Sequence, residues 1–187
     1  MGIIGKKIKR AVFLDRDGVL TRSLVRDGKG YAPTTIEQFE ILPEAAEACR
    51  LLKEKGFVLV VVTNQPDVGR GIVSEETLEK MHNKLKKRLP IDDILVCTDP
   101  SESPGPRRKP APGMLFEAAE IWGIDLLNSY IIGDRKGDID AGDAAGCRGV
   151  FIDYEYREEK PRAPAATVQN VLDGARWILQ NSLFISS

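Results

Sequence analysis

The sequence predicts an α/β fold in which a central parallel sheet lies between two layers of helix, and three observations predict it. Short apolar runs alternate with amphipathic segments along most of the 187 residues. Two of the runs, "AVFLD" at 11–15 and "FVLVVVT" at 57–63, are apolar without alternation, as strands buried on both faces are. The connections between runs are long enough for a helical crossover, which a parallel pair of strands requires.

In chain order, the strand at 11–15 ends in a carboxylate, and residues 21–36 follow as an irregular connection. Pro43 opens the first helix and Gly56 closes it, with Ala45, Ala48, Cys49 and Leu52 on one face. After the strand at 57–63, Ser74 caps a second helix in which Leu78, Met81, Leu85 and Leu89 recur at helical spacing. His82 lies on the flank of that helix, far in sequence from every candidate site segment, and is read as structural. "DDILVC" (92–97) is the third strand, and the proline-rich segment 97–111 is irregular. A third helix runs from about Pro112 to Trp122, with Met114, Leu115, Ala118 and Ile121 inward and Gly123 as its stop. "SYIIGD" (129–134) and "GVFID" (149–153) supply two more strands, with a helix beginning near Asp138 between them. Residues 154–166 read as a solvated connector, and Asn170 caps a last helix carrying Val171, Ala175 and Ile178. The whole, 1–187, is expected to be one domain, a three-layer Rossmann-like sandwich.

Composition narrows the function. With 27 basic and 28 acidic residues, a net charge of -1 leaves no global field for nucleic acid or an anionic membrane. No apolar run approaches the ~20 residues of a membrane span. The cluster "GKKIKR" (5–10) reads as a solvated lead-in without the apolar core of a secretion signal. Cys49, Cys97 and Cys147 are odd in number and form no CxxC pair, so a reduced, cytoplasmic protein is expected.

In such sheets, ligands bind beyond the carboxyl ends of the strands. The chemically capable residues fall there. Asp15 and Asp17, in "FLDRDGVL", suit a nucleophile and an acid/base or a metal, although a turn ending a strand uses the same residues. Thr63 and Asn64 follow the second strand as hydrogen-bond donors, with Gly69 and Gly71 loosening the loop beyond. Lys109 ends the proline-rich segment and can balance phosphoryl charge. Asp134 and Asp138 follow the fourth strand, where helix capping is the competing role for Asp138.

The order Asp-x-Asp, Thr, Lys, Asp resembles the four motifs of the haloacid-dehalogenase-like (HAD) phosphohydrolases over nearly the whole chain. Within that superfamily, "FLDRDG", Gly30-Tyr31, "VVVTNQ", "RKP" (108–110), "PGML" (112–115) and "YIIGD" resemble the histidinol-phosphatase and heptose-bisphosphate phosphatase subgroup. "GRG" (69–71) and Gly30-Tyr31 favour the heptose enzyme, while "NSYIIGDR" is at least as close to the histidinol one. The resemblance implies a phosphatase working through an aspartyl-phosphate, with Asp15 as nucleophile and Asp17 as acid/base. Thr63 and Lys109 would hold the phosphoryl group. Asp15, the Asp17 carbonyl and Asp134 would bind Mg²⁺, with Asp138 supporting them. Gly30, Tyr31, Asn64, Gln65, Arg108 and Arg135 would contact substrate, a small phosphorylated metabolite.

The gaps after the first two strands are too short for a cap domain, so the chain resembles the capless members, which are often monomeric. The alternative outside the enzymes is a phospho-acceptor receiver module, in which the lysine comes last in the chain and no counterpart of Asp17 activates water. One departure stands out. Subgroup members carry a zinc loop of Cys-x-His and Cys-x-Cys before Arg-Lys-Pro. Here Cys97 keeps its place, but Asp99, Gly105 and Arg107 occupy the other three positions. One ligand of four does not hold structural zinc, so no zinc is expected.

Overall fold

A computed structural model describes residues 8–182. Its centre is a six-stranded sheet, made of β1 (Ala11–Leu14), β4 (Val58–Asn64), β5 (Asp93–Cys97), β6 (Tyr130–Gly133), β7 (Arg148–Ile152) and β8 (Ala166–Val168). The spatial order is β5-β4-β1-β6-β7-β8 and every pairing is parallel. β2 (Leu24–Arg26) and β3 (Lys29–Tyr31) form a separate antiparallel hairpin. The helices are α1 (Ala45–Glu54), the single turn α2 (Pro66–Gly69), α3 (Glu75–Arg88), α4 (Gly113–Trp122), α5 (Lys136–Ala145) and α6 (Val171–Asn181).

Because side chains alternate along a strand, each strand feeds two cores. Val12 and Leu14 of β1, with Leu59 and Val61 of β4, pack beneath Leu52 of α1, Met81 and Leu85 of α3 and Ile178 of α6. Ala11 and Phe13, with Val58, Val60 and Val62, meet Met114, Leu115 and Ala118 of α4 and Ala141 of α5 on the other face. The apolar runs lack alternation because neither face of these strands meets water. Among the described residues no domain is inserted over the sheet, in keeping with the capless expectation.

Register carries this architecture to the site. Leu14 pairs with Val61 on one side and with Ile132 on the other. Asp15 after β1 and Asp134 after β6 therefore leave the sheet at nearly one level, while β4 runs three residues past Val61 and brings Thr63 and Asn64 to the same end. The helix starts also follow their signals. Ser74 accepts a hydrogen bond from Thr77 N at 3.1 Å, and Asn170 Oδ1 accepts from Asp173 N at 2.9 Å.

Several expectations need correction. Residues 21–36 are not wholly irregular, since they contain the β2–β3 hairpin, whose three-residue strands are too short for a periodic signal. Ile121 is 55% exposed and not inward, because α4 buries only the narrow stripe of Met114, Leu115 and Ala118. Gly69 does not loosen its loop: a Cβ there would lie 2.1 Å from the carbonyl oxygen of Thr98, so it permits close packing of α2 on the proline-rich segment. β8 goes unannounced by its three residues. Of the basic cluster, residues 5–7 lie outside the described residues. Lys9 and Arg10 are anchored, the first by backbone bonds to Gly123 and Asp125, the second over the Phe57 ring at 4.8 Å. Cys49, Cys97 and Cys147 are all buried free thiols.

Candidate active site

The residues leaving β1, β4 and β6, with those entering α4 and α5, line a cleft of about 460 Å³. Asp15, Asp17, Thr63, Asn64, Gln65, Lys109, Asp134, Arg135 and Asp138 all border it. All the carboxylates, the hydroxyl and the lysine singled out in the sequence are thus brought together.

Lys109 is the centre of the arrangement. Its Nζ donates to Asp15 Oδ1 at 2.8 Å, to Asp138 Oδ1 at 2.5 Å and to the Val62 carbonyl at 2.7 Å, using all three hydrogens. Burial opposes its charge, but Asp138 and Asp15 outweigh burial and hold the ammonium above its usual range. Asn64 fixes the lysine from behind. Its Nδ2 donates to the Lys109 carbonyl at 3.0 Å and its Oδ1 accepts from Lys109 N at 3.2 Å. Asn64 thus positions the lysine backbone while bordering the cleft, and one N–H of its amide remains for the substrate contact expected of it.

Asp15 is 8% exposed. Its carboxyl is raised to about 6 overall, and burial is the largest cause. Within that balance Lys109 acts downward, and Asp138 and Asp17 act upward. Asp17 accepts from Thr21 Oγ1 at 2.9 Å and from Gln65 Nε2 at 2.8 Å. The same Gln65 nitrogen lies 2.8 Å from Thr63 Oγ1. Gln65 is 4% exposed and is tied into this chain through its nitrogen, and it borders the cleft.

Asp134 differs from every other carboxylate here. It is 2% exposed, and neither of its oxygens has a hydrogen-bond partner. Arg135 Nε is 3.7 Å away, beyond hydrogen-bond reach. Burial, then Asp15 and Asp138, raise its carboxyl well above the usual range. Two unpartnered oxygens on a buried carboxylate are costly unless a cation meets them. Asp15, Asp134 and Asp138 offer oxygens within 4.8 Å of one another, spacing suited to one metal ion. Asp138 is already engaged, Oδ1 by Lys109 and Oδ2 by Arg135 N at 3.0 Å. It therefore serves the start of α5, accepting from the backbone of the cap residue Arg135 as the capping role read from the sequence implies, and it braces the lysine as well.

The rim is made by loops. Arg135 donates to the Gly30 carbonyl at 2.6 Å and to Glu158 at 3.0 Å, tying the hairpin to the segment after β7. Arg108 donates to the Asp99 carbonyl at 2.7 Å and to Ser101 Oγ at 2.9 Å. Gly30 and Tyr31 border the cleft as expected, with Lys29, Arg70, Ser101 and Glu158 beside them. Those last four carry no sequence signal of their own, since only the docking of three separate loops places them together. Nor does sequence separation keep His82 apart: its Nε2 lies 3.3 Å from Nη1 of Arg16, the residue between the two aspartates.

The chain's similarities agree with this geometry. Residues 106–174 match the HAD-hydrolase-like family model. D-glycero-beta-D-manno-heptose-1,7-bisphosphate 7-phosphatase of Escherichia coli (strain K12) is 37% identical over 185 residues, covering 92% of this chain and 89% of the relative. D-glycero-alpha-D-manno-heptose-1,7-bisphosphate 7-phosphatase of Burkholderia mallei is 37% identical over 177 residues, covering 88% and 90%. Among solved structures, the D,D-heptose 1,7-bisphosphate phosphatase of B. bronchiseptica, complexed with magnesium and phosphate, superposes with a TM-score of 0.78 at 23% identity. It covers 91% of this chain and 98% of that one. On these relatives and this fold, the chain belongs to the HAD-like hydrolases, in the family of the heptose-bisphosphate 7-phosphatases.

Proposed function

We propose that the protein is a Mg²⁺-dependent phosphomonoesterase that removes the 7-phosphate of D-glycero-D-manno-heptose 1,7-bisphosphate. The observation that carries the reading is the Asp15–Lys109–Asp138 contact beside the unpartnered Asp134. A carboxylate nucleophile meets an anionic phosphate only where the charge between them is neutralised, and this cluster has one buried ammonium and one buried carboxylate, Asp134, that no donor meets. Asp15, the Asp17 carbonyl and Asp134 would hold Mg²⁺, a hard ion that takes oxygen ligands. When bound, it supplies charge neutralisation at the phosphoryl group.

In this reading Asp15 attacks phosphorus and forms the aspartyl-phosphate. Lys109 and the Thr63 hydroxyl hold the phosphoryl oxygens. Asp17 protonates the departing sugar oxygen and later takes a proton from water. The leaving group then rests against the open rim, where Lys29, Tyr31, Arg70, Arg108 and Arg135 can meet a second phosphate and hydroxyls. The names of the relatives support the heptose substrate, and both anomers appear among them.

The test is phosphate release, with Mg²⁺, across both heptose 1,7-bisphosphate anomers, other sugar bisphosphates and histidinol phosphate. The heptose bisphosphates should be preferred, and Asp15→Asn should lower kcat by roughly a thousandfold or more. Hydrolysis by Asp15→Asn at the parent rate would end the covalent mechanism. Preference for histidinol phosphate would keep the mechanism and replace the substrate.

A further inference from the structure

Arg16 stands between the two aspartates that follow β1, yet its side chain is fully buried and is the largest such side chain among the described residues. It does not border the cleft. A buried guanidinium is costly unless its hydrogens are met. Here Nε lies 3.0 Å from Asp17 Oδ1 and Nη2 lies 2.7 Å from Asp17 Oδ2, a fork that holds both oxygens. Phe39 lies across the guanidinium at 5.3 Å.

His82 completes the support. A guanidinium offers only donors, so the 3.3 Å contact requires His82 Nε2 to be the acceptor, and hence the ring to be neutral. Burial, and then the charge of Arg16, bring the ring's pKa down to about 4, in agreement. With Gln65 and Thr63, the contacts form one continuous line from the phosphoryl site at the end of β4 to α3.

Four groups surround the Asp17 carboxylate within hydrogen-bond distance: Arg16 Nε, Arg16 Nη2, Thr21 Oγ1 and Gln65 Nε2. Each donates to it. About a tenth of the Asp17 side chain remains exposed, and the residue borders the cleft. That inventory presents Asp17 to the cleft as a proton acceptor with its rotation removed.

We propose that Arg16, itself held by His82, is a positioning residue that presents Asp17 as acceptor of the water proton when the aspartyl-phosphate is hydrolysed. The proposal rests on the roles assigned above to Asp15 and Asp17. In that step the water oxygen bonds to phosphorus and the bond from phosphorus to Asp15 breaks. Asp15 returns as a carboxylate, phosphate leaves, and the water proton goes to Asp17. Asp17 then carries the proton that the next sugar oxygen takes, so the cycle balances.

An aryl phosphate separates this role from general structural support, because p-nitrophenolate departs without needing a proton. In rapid mixing of p-nitrophenyl phosphate with Mg²⁺-loaded protein, Arg16→Lys should release nearly one nitrophenolate per site. That first turnover should run within roughly threefold of the parent rate, followed by a steady state slowed roughly tenfold or more. A hydroxylamine-labile phosphate should accumulate on the chain. His82→Leu should show the same pattern more weakly, and His82→Gln, which restores an acceptor, should lose less than His82→Leu.

A first turnover slowed as much as the steady state overturns the proposal. So does an unchanged steady state in folded Arg16→Lys and His82→Leu. If Arg16→Lys does not fold, the His82 pair decides. Asp17→Asn keeps the two levels apart: parent-like turnover in that variant removes the assigned role of Asp17. A slow Asp17→Asn beside an unaffected Arg16→Lys removes only the role of Arg16.

Discussion

Gly18 shows how tightly single residues set the site. Its φ of 92° lies in the left-handed region, and a Cβ would fall 2.0 Å from Asp134 Oδ2. Any side chain here meets both a strained backbone, at roughly 1–2 kcal/mol, and the carboxylate proposed to bind metal. Gly18→Ala should therefore lower stability by about 2 kcal/mol and kcat/KM by roughly a hundredfold, since a misplacement of about 1 Å at a reacting centre has that effect. Thermal unfolding and phosphate release measure the two together, and unchanged kcat/KM would mean that the position of Asp134 is unimportant. Asn64 and Gln65 teach a related lesson. A polar residue at a strand end is legible as a site residue, but the direction of its amide depends on which loop arrives opposite. The Lys109 backbone engages Asn64, and Thr63 with Asp17 engages the Gln65 nitrogen, so each positions its neighbours as well as bordering the cleft.

Among the elements, the segment between β5 and α4 is where the sequence departs from the zinc-loop pattern that its resemblance implies. Of the four positions expected for zinc ligands, Asp99 accepts from Gly105 N at 3.1 Å, and Arg107 turns outward to Glu117 of α4 at 2.8 Å. Glu102 pairs with Arg70 beyond α2 at 2.6 Å. Hydrogen bonds thus close the loop where a metal would, and they aim Arg108 at the cleft through the Asp99 carbonyl. Purified protein should contain no stoichiometric zinc, and a chelator specific for zinc should leave its Tm unchanged. Asp99→Ala should reduce stability by about 1 kcal/mol, the usual worth of one such bond, and raise KM several-fold with little change in kcat. Stoichiometric zinc would overturn this account of the loop. The long elements were legible because burial on a sheet face imposes a period: β1, β4, α1 and α3 lie where their apolar patterns put them. The hairpin and β8 were not, since three residues make no pattern and their pairing is decided by distant chain. Ile121 failed for the opposite reason, as α4 is apolar beyond the stripe it buries.

Across the whole molecule, the site is assembled at the expense of stability. Three carboxylates are buried at one end of the sheet, and a single buried ammonium lies among them. Lys109 meets Asp15 and Asp138, which leaves the two oxygens of Asp134 unmatched. Burial and like charge both act against an ionised Asp134, and an unsatisfied buried polar group costs about 1–3 kcal/mol. The amide of Asn has nearly the same shape and carries no charge. In metal-free protein, Asp134→Asn should therefore raise stability by about 1–2 kcal/mol, or roughly 2–8 °C in Tm for a chain of this size. Mg²⁺ should reverse the ranking. A ligand that binds only the folded state stabilises it by about 2.7 kcal/mol at a hundred times its Kd, so Mg²⁺ should raise the parent's Tm by several degrees. The same Mg²⁺ should leave Asp134→Asn unmoved and nearly inactive. Calorimetry of both proteins with and without Mg²⁺ decides the matter: if Asp134→Asn is the less stable protein without metal, or gains as much from Mg²⁺ as the parent, Asp134 is not the residue whose burial is offset by the ion.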